Sequence, residues 1–537
     1  MQRRKITLKF VILSFGIFER MKKLLFILLG ALSALPTHAA RPRLIVQIVV
    51  SSMRANDLTR YADNFGEGGF RRLLDEGSRF SFARYDYQQT TTPVSLATLT
   101  TGAMPSTHGV VSERWQDYTT NTTVHLTEGR LGPGPYHLFA PTLGETILRH
   151  IPGSQSVTVA AEATSAVVAG GHTQHVFWLD PAHCGWTTSE WYAPELPEWI
   201  DRSNRERYNL SYILPEWRTI YERNRYHNTR HKEITLSESS RRSGASTPQR
   251  TPQNEFGRLL ATPAGNSTVL GFAKQLVAQY KLGADQTPDL LTICLDTPRR
   301  IAEIYGPESV EIEDMYYRLD RDLADFLTFV FAQVHNGEAL VMLTSDHGTS
   351  PSYDIGAMPA ERFNARQFEV IVGGFLNVRY GAGTWVTGYN DKCIWLNHNL
   401  IYERGLNLAD VQNEVAIFAM QFGGVSHALA ATAMRTSYFG SGYARKMQNS
   451  FYPRRSGDVV LNLMPGWIEE RPGCVSLSGS MYGYDTEVPL LFYGTGIGAQ
   501  RIDRRVDMTS VAPTITHMLG ISEPAASEGD PIEELTK

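Results

Sequence analysis

Short apolar runs alternate along the chain with segments of helical pattern, and this alternation restricts the fold more than any other feature. The runs have the length and composition of buried strands, and they span Leu44–Val50, Ser156–Ala160, Leu290–Leu295, Ala339–Thr344 and Val488–Tyr493. Between them, the segment from about Ile312 to Val334 repeats apolar residues at the spacing of one buried helical stripe. Strands that alternate with helices predict an α/β protein, a three-layer α/β/α sandwich around a mostly parallel sheet.

Two regions interrupt this alternation. Residues from about 187 to 263 are rich in Trp, Tyr and Arg, and residues from about 373 to 467 have a strand-like and a helical pattern of their own. We expect both to be insertions that form a cap region on one domain of residues 41–522. Residues 523–537 are then a C-terminal tail.

The N-terminal 40 residues have the pattern of a targeting segment. From Met21 the chain reads MKKLLFILLGALSALPTHAA, with two lysines, a short apolar stretch and small residues at Ala39 and Ala40. This order is typical of a secretory signal peptide and predicts a periplasmic or otherwise exported protein. Residues 1–20 are then an upstream extension, and whether the chain starts at Met1 or Met21 stays open. A retained membrane anchor is the alternative, although the apolar stretch is short for a span.

Charge and cysteine spacing narrow the range of partners and cofactors. Residues 1–40 hold seven of the 51 Lys and Arg residues and one of the 55 Asp and Glu residues, so the rest of the chain has a net charge of −10. This balance, without a basic tract, argues against binding of nucleic acid. Cys184, Cys294, Cys393 and Cys474 are widely spaced and form no CxxC pair, so no thiolate metal site is expected. Their disulfide pairing stays open.

The first strand-like run is followed by two serines. In α/β proteins, ligands and metals lie just beyond the carboxyl ends of parallel strands. At that point Leu44–Val50 is followed by Ser51 and Ser52. A metal enzyme would need a carboxylate there, because a serine hydroxyl is not among the usual zinc ligands.

Three stretches carry a resemblance to a known family. They read TTTPVSLATLTTGAMPSTHGV, TSDHGTSP, and YGYDTEVPLLFYGTGI with DMTSVAPTITHMLGI after it. In this order they resemble the alkaline phosphatase superfamily, specifically the exported phosphate-monoesterase branch near the type I phosphodiesterases and nucleotide pyrophosphatases. The resemblance covers about residues 41–522. It implies an alkaline-phosphatase-like fold with a pair of zinc ions and a Thr or Ser nucleophile.

The resemblance assigns roles position by position. It places the nucleophile on Thr92 and two retained metal ligands on Asp346 and His347. The other metal ligands fall on Ser51, Arg299, Glu303 and Ser478, and the phosphoryl-binding Asn, Lys and Arg fall on Glu113, Glu162 and Thr164. Arg299 puts a cation where a zinc ion belongs, and Glu113 and Glu162 put anions where a phosphoryl group binds. Charge therefore opposes the chemistry of the family at these positions.

These substitutions lead us to predict a catalytically degenerate pseudoenzyme that acts in binding or assembly. No cofactor is expected, and the partner would be an unidentified protein or an anionic ligand. The alternative is a residual metal-dependent phosphatase or phosphodiesterase that uses Thr92 as nucleophile and zinc as cofactor. A ligand sensor in which Arg299 binds an anion is a third hypothesis. Neither a nucleic-acid partner nor a membrane anchor after signal cleavage is expected.

Some of these residues have a second, structural interpretation. Thr92 could merely cap or pack the helix that follows it. Asp346 and His347 could form a hydrogen-bond network that only shapes their own turn. For Arg299 we expect the guanidinium to lie within about 4 Å of the Asp346 or Glu303 carboxylate, as fixed charge in place of zinc.

Three further arrangements stay open from the sequence. Asp296 could replace a lost metal ligand, although Pro298 stiffens its turn. His172, His175 and His183 could form a relocated metal site near Cys184. Glu113 and Glu162 could form a new pair of acid–base carboxylates.

Overall fold

The computed structural model describes residues 41–183, 185–206, 217–230, 252–356 and 360–536. The proposed upstream extension and signal peptide, residues 1–40, lie outside the described residues, as does Cys184. Over the described ranges, no helix is both long enough and apolar enough to cross a membrane.

A central sheet, with nine strands counted over the described residues, forms the middle layer of the protein. Its strands are β1 (Leu44–Val50), β2 (Ser78–Arg84), β3 (Ser156–Ala160), β4 (His175–Leu179), β5 (Trp186–Thr187), β6 (Asp289–Leu295), β7 (Ala339–Thr344), β8 (Glu487–Gly494) and β9 (Gln500–Asp507). They lie in the order β9-β2-β8-β7-β1-β6-β3-β4-β5. Strands β7, β1, β6, β3 and β4 are parallel, and β8 is antiparallel to both of its neighbours. The prediction of a mostly parallel sheet in an α/β fold is confirmed.

Helices cover both faces of this sheet. The α-helices of the described residues are Asp57–Arg60, Phe70–Glu76, Thr92–Thr101, Pro105–His108, Leu143–His150, Ala163–Gly170, Glu198–Arg205, Pro252–Leu260, Ala264–Tyr280, Thr297–Tyr305, Val310–Gln333, Ala365–Tyr380, His398–Glu403, Leu408–Ala419, Ala431–Thr436, Gly442–Asn449, Gly483–Thr486, Val511–Met518 and Glu533–Thr536. Alternate residues of β1 point to opposite faces, so Val46 and Ile48 belong to one apolar core and Ile45 and Val49 to the other. Two cores separated by one sheet give the three layers that the alternation predicted.

The second insertion forms a cap with a sheet of its own. The strands of this cap sheet, in spatial order, are Val386–Asn390, Cys393–Leu396, Val459–Leu463 and Val425–Ala430. A separate apolar core, which includes Phe368 and Trp385, lies beneath it. The helix Ala365–Tyr380 belongs to this core, so the cap begins before residue 373.

The C-terminal segment packs on the main domain. Ile532 and Leu535 are buried in the same core as β1 residue Val49. The Ile532 backbone N–H also donates to Thr514 Oγ1 across 2.9 Å. Residues 523–536, which the sequence sets apart as a tail, therefore form part of the packed domain.

Three neighbouring parallel strands bring polar residues to one edge of the central sheet. In the register of these strands, Val50 of β1 lies beside Leu295 of β6, and Val49 lies beside Thr344 of β7. The residues that follow the three strands therefore lie at the same carboxyl edge. This edge is where an α/β protein binds its ligands.

Candidate active site

Thr92 and His347 form a hydrogen-bonded pair at the carboxyl edge of the sheet. Thr92 is the first residue of the helix Thr92–Thr101, and His347 follows β7. Thr92 Oγ1 lies 3.1 Å from His347 Nε2, and His347 Nδ1 lies 2.6 Å from the Gly348 carbonyl oxygen. Because a carbonyl oxygen only accepts hydrogen bonds, Nδ1 carries the hydrogen and Nε2 accepts from the Thr92 hydroxyl. A hydroxyl that donates to an imidazole has the geometry of an activated nucleophile.

The helix-capping interpretation of Thr92 is wrong. The N-cap residue of this helix is Thr91, and no side chain makes a capping hydrogen bond there. Thr92 lies one residue inside the helix, where its hydroxyl points to His347 instead of to the first turn. Thr92 is 6% exposed and lines a cleft of about 150 Å³.

Asp346 accepts hydrogen bonds from the end of β1. Its Oδ2 accepts from Ser51 Oγ at 2.7 Å, and its Oδ1 accepts from the backbone N–H groups of Ser52 at 3.2 Å and His347 at 2.8 Å. Oδ2 also lies 3.4 Å from His347 Nε2. Asp346 and His347 are fully buried. The hydrogen-bond network that shapes their turn is present, and it also holds the His347 imidazole beside Thr92.

Arg299 lies between two carboxylates on a neighbouring wall of the cleft. Its Nη2 donates to Glu162 Oε2 at 2.5 Å, and its Nη1 donates to Glu303 Oε1 at 3.3 Å. The expected approach of Arg299 to Glu303 is confirmed. Arg299 does not pair with Asp346, because the Asp346 oxygens are bonded to Ser51, Ser52 and the following backbone N–H.

Mutual stabilisation keeps the Arg299 cluster charged. Burial acts to lower the pKa of Arg299, but the Glu162 and Glu303 carboxylates outweigh it and raise that pKa well above its ordinary value. Burial acts to raise the pKa of Glu303, yet Arg299 and Arg300 outweigh it and lower that pKa. Fixed ion pairs therefore occupy this wall of the cleft.

The paired acid–base hypothesis for Glu113 and Glu162 does not fit the observed contacts. Desolvation by the cleft walls raises the pKa of Glu113, and Arg299 opposes that rise. Glu162, however, accepts from Arg299 through one oxygen and from Arg300 through the other, at 2.5 and 3.3 Å. A carboxylate held in this way is not free to act as a base.

The other hypotheses for relocated ligands also find no support in the contacts. Asp296 Oδ2 accepts from the backbone N–H groups of Ala161 and Glu162, and its Oδ1 accepts from Ser165 Oγ. The Asp296 carboxylate therefore holds the start of the helix Ala163–Gly170 in place.

The three histidines have separate partners. His172 bonds to Glu145, His183 to Asp180, and the ring of His175 packs on Tyr280. No metal-binding group of three or more His, Cys, Asp or Glu residues occurs among the described residues.

The cleft contains further positions that the resemblance assigned and two that it missed. Ser478 lines the cleft with its Oγ 3.5 Å from His347 Nε2, whereas Thr164 lies in the first turn of its helix away from the cleft lining. Lys392 and Asp485 also line the cleft; the resemblance assigned a role to neither, although Asp485 lies within the stretch YGYDTEVPLLFYGTGI. Desolvation raises the pKa of Asp485 to about 7, and its Oδ1 has no hydrogen-bond partner among the described residues.

The donor set does not fit the pair of zinc ions that the resemblance implies. A catalytic zinc site uses three protein ligands from His, Cys, Asp or Glu. At one position Asp346 and His347 offer two such groups, with the hydroxyls of Ser51 and Thr92 beside them. At the position that the resemblance gives to the second metal, the guanidinium of Arg299 pairs with Glu162 and Glu303.

Known proteins match this chain over most of its length. The sequence model of the family described as type I phosphodiesterase / nucleotide pyrophosphatase matches residues 45–484. The chain is 28% identical to alkaline phosphatase PafA of Elizabethkingia meningoseptica, over 94% of this chain and 97% of that protein. It is 27% identical to alkaline phosphatase PhoV of Synechococcus elongatus, over 94% and 95%. The crystal structure of wild-type PafA superposes with a TM-score of 0.84 at 26% identity, over 93% of this chain and 99% of that one.

These comparisons overturn the prediction of a catalytically degenerate pseudoenzyme. Relatives that align with almost the whole chain are named as alkaline phosphatases. The prediction counted metal ligands and treated Thr92 as a remnant. In the structure the Thr92 hydroxyl is bonded to an oriented imidazole, which is an arrangement suited to reaction.

Proposed function

The chain belongs to the type I phosphodiesterase / nucleotide pyrophosphatase family, and on this premise we propose that it hydrolyses phosphoric esters with Thr92 as the nucleophile. The observation that carries the proposal is the hydrogen bond of 3.1 Å between Thr92 Oγ1 and His347 Nε2. The names of the relatives, which are alkaline phosphatases, support phosphate esters as the substrate class. The signal-peptide pattern of residues 21–40 supports an exported protein, which would act outside the cytoplasm.

In the first step the Thr92 oxygen bonds to phosphorus while the bond from phosphorus to the leaving oxygen breaks. His347 Nε2 takes the Thr92 proton, and the leaving oxygen, which departs on the opposite side of phosphorus, takes a proton from water. Asp346 Oδ2, 3.4 Å from Nε2, stabilises the imidazolium that forms in between. The product of this step is a phosphothreonine at position 92 and a free alcohol.

In the second step a water molecule attacks the phosphothreonine. The water bonds to phosphorus on the side opposite the Thr92 oxygen and loses a proton to solvent, and the Thr92 oxygen leaves and takes its proton back from His347 Nε2. The hydrogen bond from Nδ1 to the Gly348 carbonyl keeps the imidazole in one tautomer through both steps. Inorganic phosphate, or a phosphate monoester when the substrate is a diester, is released.

The test is hydrolysis of p-nitrophenyl phosphate and of its diester by the protein without residues 1–40. Thr92→Ala is expected to lower the rate by roughly 10³-fold, and Thr92→Ser to retain a hydroxyl and a large part of the rate. Acid quenching during turnover followed by peptide mass spectrometry is expected to find phosphate on Thr92. Equal rates for the unaltered protein and Thr92→Ala would overturn the proposal.

A further inference from the structure

The tip of a cap hairpin has an unusual backbone. Asn390 pairs with Cys393, so Asp391 and Lys392 form a two-residue turn between the strands Val386–Asn390 and Cys393–Leu396. Asp391 has φ 45° and Lys392 has φ 63°, which places both in the left-handed region. Turns of this type favour Asn-Gly, because a side chain is strained there. Lys392 is thus kept at a position that glycine would occupy more easily.

Several contacts hold this strained tip in place. Asn390 Nδ2 donates to the Arg114 carbonyl and to Ser112 Oγ, both at 2.9 Å, which docks the tip on the main domain. Asp391 Oδ2 accepts from the Ser112 hydroxyl, and the Lys392 backbone N–H donates to Glu469 Oε1 at 3.2 Å. Backbone strain that several surrounding contacts hold in place is typical of functional positions.

The docked hairpin delivers the Lys392 ammonium to the cleft that contains Thr92. Lys392 is 7% exposed and lines this cleft together with Thr91, Thr92 and Gly479. Its Nζ lies 3.0 Å, and the Thr91 Cγ2 3.2 Å, from the point that a Cβ on Gly479 would occupy. Gly479 therefore provides the space in which the ammonium approaches the start of the Thr92 helix.

The Lys392 ammonium keeps its donors free. Its Nζ lies 3.8 Å from Glu469 Oε2, too far for a hydrogen bond, and it makes no hydrogen bond to any described residue. Arg299, by contrast, donates to Glu162 and Glu303. Thr91, whose Cγ2 faces the same point as the ammonium, has its Oγ1 buried without a hydrogen-bond partner among the described residues. A buried cation with free donors is suited to bind a tetrahedral oxyanion.

We infer that Lys392 is a catalytic residue that binds the phosphoryl oxygens of the ester while Thr92 attacks. The inference rests on the proposed function for the attack itself, although the binding of phosphate by Lys392 can be measured without turnover. The ammonium offsets the negative charge of the phosphoryl group, which the carboxylates of the cleft oppose. The cap thereby supplies the cation that completes the site.

The first experiment measures the affinity for inorganic phosphate by calorimetry in proteins that also carry Thr92→Ala. Lys392→Gly removes the ammonium and relieves the turn, so we expect it to fold, and Lys392→Met removes the ammonium and keeps the turn strained. Both are expected to weaken phosphate binding by roughly 10- to 100-fold. Lys274→Met, which removes an ammonium outside the cleft, is expected to leave the affinity unchanged. Unchanged affinity in both Lys392 variants would overturn the inference.

The second experiment measures kcat and KM for p-nitrophenyl phosphate with Thr92 intact. Lys392→Met is expected to lower kcat/KM by at least the factor lost in phosphate affinity, and Lys392→Arg to restore part of it. A Thr92-dependent rate that Lys392→Met leaves unchanged would overturn the role of Lys392 and leave the proposed function standing. Loss of phosphate affinity in a protein without any Thr92-dependent rate would support phosphate binding by Lys392 and overturn the proposed function.

Discussion

The Ser51 hydroxyl donates a hydrogen bond of 2.7 Å to Oδ2 of Asp346, and this contact joins the ends of β1 and β7 directly. Both residues are buried, and the Asp346 carboxylate has further donors from the backbone of Ser52 and His347. A buried carboxylate with several donors is stable without a bound cation. The same geometry suggests how a metal ligand set could be restored.

Ser51→Asp is expected to convert the end of β1 into a third metal ligand. Two carboxylates at hydrogen-bond distance repel each other, so we expect a lower Tm in the presence of a chelator. Added zinc would be bound by the new carboxylate, Asp346 and His347, and Tm would rise by mass action. The measurement is thermal unfolding with chelator and with zinc.

Ser51→Asn is the matched control for Ser51→Asp, because the Asn side chain has a volume similar to that of Asp and adds no charge. It is expected to respond to neither chelator nor zinc, and the unaltered protein is expected to behave in the same way. A rise of several degrees in the unaltered protein, abolished by His347→Ala, would show that the unaltered donor set does hold zinc.

Arg299→Met is expected to destabilise the fold strongly. It leaves Glu162 with the contact of Arg300, and Glu303 with the contacts of Arg300 and Arg471, and the lost side chain is 12% exposed. Removal of one partner from a buried ion pair costs about 3–5 kcal/mol, and these remaining contacts should reduce the cost to about 2–3 kcal/mol. Urea unfolding measures the difference.

Arg300→Met is the matched control for Arg299→Met. The Arg300 side chain is 41% exposed, so solvent screens its pairs with the same carboxylates. We expect Arg300→Met to lower the free energy of unfolding by at most about 1 kcal/mol. Equal costs for the two variants would contradict the distinction between a buried and a screened pair.

The positions near the strand ends were predictable, and those that depend on the cap were not. Strand runs show in local patterns, and parallel strands bring Ser51 and Asp346 to one edge whatever the rest of the chain does. Lys392 reaches the cleft because the hairpin tip docks on residues distant in sequence, such as Arg114, which lies 276 residues before Asn390. The sequence offers no local signal for such a contact.

The pseudoenzyme prediction was wrong for a different physical reason. A count of substituted ligands treats catalysis as the sum of metal contacts. It cannot show that the Thr92 hydroxyl and the His347 imidazole lie in hydrogen-bond contact, or that Gly348 sets the tautomer. The approach of Arg299 to Glu303 was predictable, since the two lie four residues apart and on one face of a helix.

His347→Gln is expected to lower kcat for p-nitrophenyl phosphate by roughly 10²- to 10⁴-fold, because Thr92 loses the group that accepts its proton. KM should change little, since the imidazole acts on Thr92 and not on the bound ester. His335→Gln, at an exposed position before β7, is the matched control and is expected to leave both constants unchanged. If His347→Gln kept the rate of the unaltered protein, the base would have to be sought elsewhere.

His108 is expected to make the fold less stable in acid. Burial, together with the smaller effect of the Arg455 guanidinium, lowers the pKa of His108 to about 3. Its Nε2 lies 3.0 Å from Thr98 Oγ1, and its Nδ1 accepts from the Val110 backbone N–H at 3.1 Å, so the neutral form is the one that fits. Unfolding restores a pKa of about 6.5.

The sign of the effect follows from proton binding. Between pH 6.5 and pH 3 the unfolded chain binds a proton at His108 that the folded chain does not bind, so the free energy of unfolding falls as pH falls through this range. Above about pH 6.5 both states are neutral and the contribution is constant. A shift of this size corresponds to at most about 5 kcal/mol across the range. His108→Gln is expected to lower stability at neutral pH and to flatten the dependence of stability on pH between about 6.5 and about 4. Urea unfolding at several pH values tests this, and parallel curves for the two proteins would contradict a neutral, buried His108.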